Sequence, residues 1–201
     1  MDNILPRQFY NRPALTVARE LIGKKIVRPL EGTVLSGIIS ETEAYVGPED
    51  TACHASKGKT TRNGVMFGPP GHAYVYFVYG MHHMLNFVCG EEGFPAAVLI
   101  RGMIPLDGME KMINLRGRDT HIADGPGKLC RAIAIDRSFN GYDLTVGDLL
   151  RAEDYISYSD REIAAGPRIG INYAEPEDRD ALYRFFLVKS ERSRNEGKAR
   201  G

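Results

Sequence analysis

The spacing of hydrophobic and polar positions changes along the chain, and each change predicts an element of secondary structure. Residues 14–22 (ALTVARELI) place apolar side chains at helical spacing and end at Gly23, which predicts a short helix with a glycine cap. Residues 24–30 and 32–46 have the composition of strands, and the turn between them lies around Glu31. The first part of the chain is therefore predicted to form a helix followed by a β-hairpin.

The next segment, residues 47–72, is rich in Gly, Pro, Thr, Lys and Asn, and it predicts a long loop. An irregular stretch of that length in a compact domain is usually functional. A tyrosine-rich strand (YVYFVY, 74–79) follows the loop, and the apolar strand AAVLIRGM (96–103) is predicted to be its partner.

The remaining segments mix helices with short strands. A helix is predicted at 106–117, and residues 124–135 are predicted to form a turn that leads into a helix. The C-terminal part, which contains GPRIGI and YRFFLV, is predicted to hold short strands. Because strands come in runs instead of alternating with helices, we predict an α+β fold with a largely antiparallel, curved sheet flanked by helices. We expect one domain over residues 1–190 and a basic, flexible tail over 191–201.

Composition narrows the class of protein. The chain has 201 residues, of which 43% are hydrophobic and 26% charged, as is ordinary for a soluble globular domain. The longest apolar run, residues 96–100, is far shorter than the ~20 residues of a membrane span, and the first residues lack the pattern of a signal peptide. Three cysteines, odd in number and widely spaced, argue against a disulfide framework. We expect a cytoplasmic protein with no membrane partner.

Charge is balanced overall but uneven along the chain. There are 26 basic and 26 acidic residues, which taken alone argues weakly against a nucleic-acid partner. Residues 179–201 contain seven basic and three acidic side chains, and Lys57, Lys59 and Arg62 form a second basic cluster in the long loop. A solvated surface accounts for both clusters, and a rim that faces phosphates is the alternative.

Two carboxylates stand near the end of the second strand, in the segment SETEAY. If 37–46 is a strand, Ile39, Glu41, Glu43 and Tyr45 share one face. Carboxylates two residues apart on one face lie ~7 Å apart, which also suits the acid/base pair of a glycosidase. An exposed polar face is the alternative, but Glu43 leads directly into the long loop, and functional sites are often built beside such loops.

The histidines do not predict a metal site. They show no HExxH pattern, and His82 and His83 would point to opposite faces of a strand. His54 lies in the long loop, where a solvated or hydrogen-bonded histidine is common. GPGK (125–128) lacks the first glycine of a nucleotide-binding loop; at the start of a helix it suits one phosphate group, or it forms a simple turn.

The tyrosines of the segment 74–79 allow two interpretations. Tyr74 and Tyr76 share one face of the predicted strand, and Tyr79 comes immediately before Gly80, where a chain tends to turn. These rings either pack in the core or offer a flat surface to a ligand.

Taken in order, seven segments strongly resemble the alkyladenine (3-methyladenine) DNA glycosylase family, the type found in mammals and many bacteria. They are ETEAYVGPEDTACH, TRNGVMF, YVYFVYGM, the asparagine at 86, VLIR, DGPGKLCRAIAI and GPRIGI, and the match runs from about residue 8 to residue 190. No helix-hairpin-helix stretch or iron–sulfur cysteine pattern of the other alkyl-base glycosylases is present in the sequence.

The resemblance implies an enzyme that flips a damaged purine out of double-stranded DNA and cuts its N-glycosidic bond. Glu43 matches the general base that activates a water molecule, and Arg101 matches a residue that helps to hold this water. Tyr45, His54 and Tyr76 match the residues that sandwich the flipped base. Ring stacking of this kind favours cationic, alkylated purines.

The resemblance also implies residues that contact DNA and exclude normal bases. Tyr79 matches a wedge on a protruding β-hairpin that inserts into the minor groove, Met81 would pack beside it, and Lys128 would meet a backbone phosphate. Asn86 matches the residue that crowds the amino group of normal guanine. Tyr74 is the tyrosine expected to serve packing alone.

The implied activity is that of a monofunctional hydrolase without lyase activity. It would excise alkylated or deaminated purines such as 3-methyladenine, 7-methylguanine, hypoxanthine and ethenoadenine, and it would leave an abasic site. The enzyme would need no cofactor and would work as a monomer. In a bacterial source it would be associated with the nucleoid. His82 departs from the family pattern, in which an aromatic residue commonly follows Met81, and no role is assigned to Glu41.

Two other functions remain open at this point. A non-catalytic nucleic-acid-binding module would use the same aromatic hairpin, but it has no need for a carboxylate that repels phosphates. A glycoside hydrolase would use Glu41 and Glu43 and would need aromatic rings, above all tryptophan, to stack on the sugar. The sequence contains no tryptophan.

Overall fold

An antiparallel sheet of eight strands organises residues 3–188, the part of the chain that this computed structural model describes. The strands are β1 (Lys25–Leu30), β2 (Thr33–Tyr45), β3 (Ala73–Val78), β4 (His82–Cys89), β5 (Ala96–Pro105), β6 (Arg151–Glu153), β7 (Ile163–Gly166) and β8 (Arg184–Leu187). Their order is β3-β4-β5-β2-β1-β6, and β8 pairs with both β2 and β7.

Short helices accompany this sheet. They are α1 (Arg7–Tyr10), α2 (Ala14–Leu21), α3 (Met109–Arg116), α4 (Pro126–Ala132) and α5 (Pro176–Asp180). Of these, α1 to α4 pack against the sheet. The predicted helix at 14–22 is confirmed, because the buried positions of α2 follow the spacing of one helical face. Among the described residues no helix is long and apolar enough to cross a membrane. The predicted α+β fold with a mostly antiparallel sheet is confirmed; the tail predicted at 191–201 lies outside the described residues.

Strand β2 is the centre of the sheet and runs for 13 residues. One of its edges pairs with β5, while β1 and then β8 pair along the other. The turn that joins β1 to β2 places Glu31 and Gly32 at φ 47° and 77°, the left-handed region that a tight two-residue hairpin needs. The predicted hairpin is therefore confirmed, and the C-terminal end of β2 lies between two neighbouring strands.

An irregularity in β2 corrects the predicted face of this strand. The pairing of β2 with β5 shifts register on both sides of Glu41. Ile39 belongs to the main core, and beyond the shift Thr42 donates from Oγ1 to the carbonyl oxygen of Ala18 on the same core side. Because an extra residue inverts the alternation of a strand, Ile39 does not share a face with Glu41 and Glu43. The prediction was wrong for Ile39.

The tyrosine strand β3 pairs with β4 and not with the predicted partner at 96–103. Strand β4 lies between β3 and β5, with Ala73 opposite Phe87 and Phe87 opposite Val98. The tight turn at Tyr79 and Gly80 makes β3 and β4 neighbours, because the chain turns there without room for a crossover.

The long loop at 47–72 is not a loose segment. Buried side chains from the loop and from the adjoining strands form a second, smaller core, which consists of Cys53, Ala55, Met66, Tyr74, Val88 and Ala97. Asn63, which is buried, donates from Nδ2 to the carbonyl oxygens of His54 and Gly58, both at 2.9 Å. The loop is therefore held in one conformation against the sheet. All three cysteines are buried and carry free thiols.

Candidate active site

Glu43 is fully buried near the end of β2, with its side chain 0% exposed. Its Oε1 accepts a hydrogen bond from the backbone N–H of Ile169 at 2.7 Å and lies 3.3 Å from Nη1 of Arg101. Its Oε2 accepts a hydrogen bond from the hydroxyl of Tyr45 at 3.0 Å. These partners fix both oxygens of the carboxyl group. A buried carboxylate held in this way needs such partners to offset the loss of water.

The protein environment raises the pKa of Glu43 above its usual value. Burial is the largest cause, and it outweighs the Arg101 guanidinium, the Ile169 amide and the Tyr45 hydroxyl, each of which lowers this pKa. Burial and the nearby Glu43 carboxylate also raise the pKa of Tyr45, so its hydroxyl stays protonated and donates. The result is a carboxyl group that is more basic than an exposed one, and basicity suits a proton acceptor.

Arg101 on β5 joins two carboxylates. Its Nη1 faces Glu43, and its Nε donates to Oε1 of Glu41 at 3.2 Å. The same oxygen of Glu41 accepts a hydrogen bond from Nη1 of Arg184 on β8 at 3.0 Å. Glu41, for which the sequence assigned no role, therefore stands between two arginines.

Three rings predicted to hold a base lie around one cleft. Tyr45, His54, Tyr76, Tyr79 and Arg101 all line an open cleft of about 440 Å³, a size in the range of small-molecule sites. The rings of His54 and Tyr76 lie edge to face, with centroids 4.6 Å apart, and form a continuous aromatic surface. The structure therefore brings the predicted base-stacking residues together beside Glu43.

Tyr74 corrects the expectation that it serves packing alone. Although its ring is buried in the smaller core, its hydroxyl lies 2.9 Å from Nδ1 of His54. Burial, with a smaller contribution from Arg62, lowers the pKa of His54 to about 4, so His54 is neutral at neutral pH. Tyr74 thus orients a neutral imidazole at the cleft. Its place on the same strand face as Tyr76 was the signal for this contact.

Asn86 lines a narrow recess that adjoins the cleft. It is 3% exposed, and its Nδ2 donates to the carbonyl oxygen of Tyr74 at 3.1 Å. Tyr45, His54 and Tyr76 line the same recess. The amide of Asn86 is therefore fixed by the backbone of β3 and narrows the recess at one position.

A buried ion pair, missed from the sequence, lies behind Tyr45. The guanidinium of Arg168 binds both carboxylate oxygens of Asp50, and neither side chain is exposed. Its Cζ lies 4.9 Å from the ring centroid of Tyr45 and 5.1 Å from that of Tyr183. Asp50 in turn accepts hydrogen bonds from the backbone N–H groups of Val46 and Ala52. The pair ties the start of the long loop to the ring of Tyr45. The arginine inside GPRIGI was the only signal for it.

The tip of the β3–β4 hairpin projects from the molecule. Tyr79 is 87% exposed and Met81 is 67% exposed. Tyr79 has φ 52°, a conformation that costs a residue other than glycine roughly 1–3 kcal/mol. Strained, exposed residues of this kind cluster at functional sites.

The basic residues that were predicted to meet phosphates lie in different surroundings. Nζ of Lys128 lies 2.9 Å from Oδ1 of Asp124, at the exposed start of α4. Arg62 is exposed at the cleft, with its guanidinium 4.9 Å from the ring centroid of Tyr76. Arg179 and Arg184 each bind a carboxylate, on Asp180 and Glu41. The other basic side chains of the C-terminal cluster lie outside the described residues.

Metal-binding chemistry has no candidate in the part of the chain described. Residues 3–188 contain no group of three or more His, Cys, Asp or Glu side chains that could hold a metal ion. The site itself consists of the buried carboxyl group of Glu43, the guanidinium of Arg101 and an aromatic cleft.

The chain is similar to known proteins over most of its length. A family model described as Methylpurine-DNA glycosylase (MPG) matches residues 8–191. Relatives named "Putative 3-methyladenine DNA glycosylase" include one from Methanocella arvoryzae, 52% identical over 186 residues, which cover 91% of this chain and 92% of the relative. Another, from Carboxydothermus hydrogenoformans, is 47% identical over 186 residues, which cover 92% of this chain and 95% of the relative.

Proposed function

The chain belongs to the methylpurine-DNA glycosylase family, and from this premise we propose how its residues carry out base excision. The protein is a 3-methyladenine DNA glycosylase, a hydrolase that removes alkylated bases from DNA in repair. The resemblance inferred from the sequence motifs is confirmed by these matches. The roles of individual residues are proposals, and each is supported by the geometry of the site.

We propose that the cleft receives a purine flipped out of the duplex. A base inside the stack cannot be cut from its sugar, so the nucleotide must leave the helix. Tyr45, His54 and Tyr76 would stack on the flipped purine, and a neutral His54 adds no charge that repels a cationic base. Stacking on an aromatic ring contributes about 1–3 kcal/mol per base, without a demand for one particular base.

Glu43 is proposed to act as the general base, and Arg101 to hold the attacking water. A water oxygen would bond to the anomeric carbon while the N-glycosidic bond breaks and its electrons go to the purine. Glu43 takes the proton, and its negative charge stabilises the sugar cation that develops. The single observation that carries this proposal is the buried carboxyl group of Glu43, which accepts hydrogen bonds from Tyr45 and Ile169 and pairs with Arg101. All three of these partners line the aromatic cleft.

We propose that deaminated and etheno-bridged purines, such as hypoxanthine and ethenoadenine, are substrates together with alkylated ones. The stacking surface recognises a flat ring system, and flat purines of each kind satisfy it. The product would be an abasic site, and we propose that a single chain carries out the reaction.

A non-catalytic DNA-binding module is the other function considered. Its surface would favour cations, whereas here a fully buried carboxyl group is bound by Tyr45, Ile169 and Arg101, three residues that line the cleft. Burying a charged group costs free energy that its partners must offset, and a module that only binds DNA gains nothing from this carboxyl group. This observation favours an enzyme over a binding module.

The test of the proposed function is incubation with duplexes that carry a single 7-methylguanine, hypoxanthine or ethenoadenine. The abasic sites are scored as strand breaks after treatment with alkali. We expect release of each lesion base and intact strands before the alkali treatment. Binding of these duplexes with no release of any base would contradict the proposal and favour the binding module.

Replacement of Tyr79 by alanine is expected to weaken excision from paired duplexes. We propose that Tyr79 fills the gap left by the flipped base, and without it the extruded base regains a few kcal/mol by restacking. The loss in single-turnover rate should be larger for a well-stacked, paired lesion than for a lesion in a mismatch. Tyr155→Ala, which removes another exposed tyrosine ring, is the matched control. Equal and small losses on both substrates would show that Tyr79 is an ordinary surface residue.

Replacement of Asn86 by serine is expected to relax the exclusion of normal guanine. A shorter side chain widens the recess where we propose that the guanine amino group is crowded. One such contact accounts for about 1–3 kcal/mol of discrimination, which is roughly 10- to 200-fold. The measurement is release of guanine from undamaged DNA, with Asn114→Ser on the outside of α3 as the control. Unchanged background release with intact lesion activity would assign the discrimination to other residues.

A further inference from the structure

Glu41 stands at a junction of two arginines beside the proposed catalytic pair. Its Oε1 accepts hydrogen bonds from Nε of Arg101 and from Nη1 of Arg184. We propose that Glu41 is a positioning residue for base excision, which holds the guanidinium of Arg101 so that its far side meets Glu43. This inference rests on the proposed roles of Glu43 and Arg101.

Two contacts on one planar group fix its orientation. Glu41 binds the Nε side of the Arg101 guanidinium, and Nη1 of the same group lies 3.3 Å from Oε1 of Glu43. The guanidinium is rigid and planar, so fixing one edge sets the direction of the others. With the contact to Glu43 alone, the long side chain could rotate about it. A misplacement of 1 Å at a reacting group can cost about 10²-fold in rate.

Glu41 is itself held from the opposite side. Arg184 binds it with Nη1, while its Nε donates to the carbonyl oxygen of Pro167 at 2.8 Å. The guanidinium of Arg184 also lies over the ring of Phe186, with Cζ 4.5 Å from the centroid. Arg184 is therefore anchored by the backbone and by a ring, and it offers Glu41 a fixed support.

These contacts form a closed ring of interactions that begins and ends at Glu43. Pro167 lies two residues before Ile169, whose N–H donates to Glu43. Glu43 contacts Arg101, which contacts Glu41, and Glu41 contacts Arg184, which binds the carbonyl oxygen of Pro167. The backbone then leads from Pro167 to Ile169, which binds Glu43. The irregularity in β2 lies at Glu41 itself, and bulges are common where a side chain is re-aimed next to an active site.

The alternative role for Glu41 is to supply negative charge without positioning anything. The charged and titratable groups around Glu43 come from each neighbouring element. They are Glu41 and Tyr45 on β2, Arg101 on β5, Tyr76 on β3, Arg184 on β8, and Arg168 after β7. The charge of Glu41 raises the pKa of Glu43, and Arg101 lowers it. Removing only the negative charge of Glu41 would therefore lower the pKa of Glu43, whereas losing the contact that holds Arg101 near Glu43 would raise this pKa.

The test compares Glu41→Ala with Glu41→Gln in single-turnover excision of hypoxanthine across a range of pH. We expect Glu41→Ala to slow excision about 10- to 100-fold, because Arg101 is no longer held in place. We also expect the acidic limb of the rate profile to move to higher pH, because a displaced Arg101 no longer lowers the pKa of Glu43. Glutamine keeps an acceptor oxygen at the same distance. We expect Glu41→Gln to recover most of the rate, with the limb at or below the position found in the wild type.

A second variant removes the support of Glu41 without changing Glu41. Arg184→Met should move the acidic limb in the same upward direction as Glu41→Ala, and it keeps the proposal testable if Glu41→Ala does not fold. Glu20→Ala, which breaks an exposed ion pair with Arg12, is the matched control and should leave the profile unchanged. Each variant is checked for its melting temperature.

The outcomes separate this inference from the proposed function. A wild-type protein that releases no lesion base would overturn the proposed function itself. With an active wild type, a limb that stays in place or moves to lower pH in Glu41→Ala and Arg184→Met would overturn the positioning role. So would a Glu41→Gln protein as slow as Glu41→Ala, because it would show that charge and not placement matters.

Discussion

Replacement of Glu43 by glutamine should abolish base excision and leave lesion DNA bound at near wild-type affinity. Glutamine keeps the shape of the side chain. Its single amide oxygen can still accept the hydrogen bond from the N–H of Ile169, and its NH2 group can donate to the hydroxyl oxygen of Tyr45. The substitution removes the basicity that activates water and the negative charge near the developing sugar cation. Loss of a general base together with an electrostatic contribution should lower the single-turnover rate by about 10³-fold or more. The measurements are lesion release and fluorescence anisotropy with the same duplex.

The pH dependence of the wild type should report the same residue. A general base acts in its deprotonated form, so the rate should fall as the pH drops through the pKa of Glu43. Burial raises this pKa above the usual 4.5, and the acidic limb should therefore lie above pH 4.5. His54, with a pKa lowered to about 4, stays neutral over that limb. A residual activity of Glu43→Gln that kept the same limb would assign the titration to another group.

Water, and not a lysine, should be the nucleophile. Among the described residues that line the cleft and its recess, none is a lysine. The product should be an abasic site on an intact strand, and borohydride should trap no covalent adduct. Glu177→Gln, an exposed carboxyl group on α5, is the matched control for the Glu43 variant. A trapped protein–DNA adduct, or a Glu43→Gln protein that still released base at the wild-type rate, would refute this mechanism.

Local sequence signals predicted the elements that depend on local chemistry. The β1–β2 hairpin follows from two strand-like runs and a turn that contains Gly32, and α2 follows from its apolar spacing and from Gly23. Motif matching then gave the residues of the cleft, which the structure brings together. These predictions needed only neighbours in the chain or a fixed order of motifs.

Features that depend on distant pairing were missed. The irregularity at Glu41 inverts the alternation of side chains between the two faces of β2. No local pattern predicts it, because the same sequence is also compatible with a regular strand. Strand β4 reads HHMLNFVC and lacks a clean alternation, since its second half is buried on both faces. Asp50 and Arg168 lie 118 positions apart, and no local sequence pattern in either segment predicts that they pair. Pairing over such a distance appears only once the fold brings the segments together.

Replacement of Arg168 by methionine should lower the free energy of unfolding by about 3–5 kcal/mol, the range found when one partner of a buried ion pair is removed. Asp50 would remain in a fully buried position without its cation, although the N–H groups of Val46 and Ala52 still bind it. The measurement is urea denaturation, read from the midpoint at constant slope. Arg179→Met breaks an exposed pair with Asp180 and should change stability by about 0–1 kcal/mol.

The same pair connects stability with the site, because Arg168 lies against the ring of Tyr45 that we propose stacks on the base. Arg168→Met should therefore slow excision even at a temperature where the variant is fully folded. Adding Asp50→Asn removes the uncompensated buried charge, so the double variant should regain part of the lost stability, and the difference from additivity measures the coupling of the two side chains. Additive losses in the double variant would show that the two residues act independently. A loss no larger than that of Arg179→Met would show that this pair does not hold the loop against Tyr45.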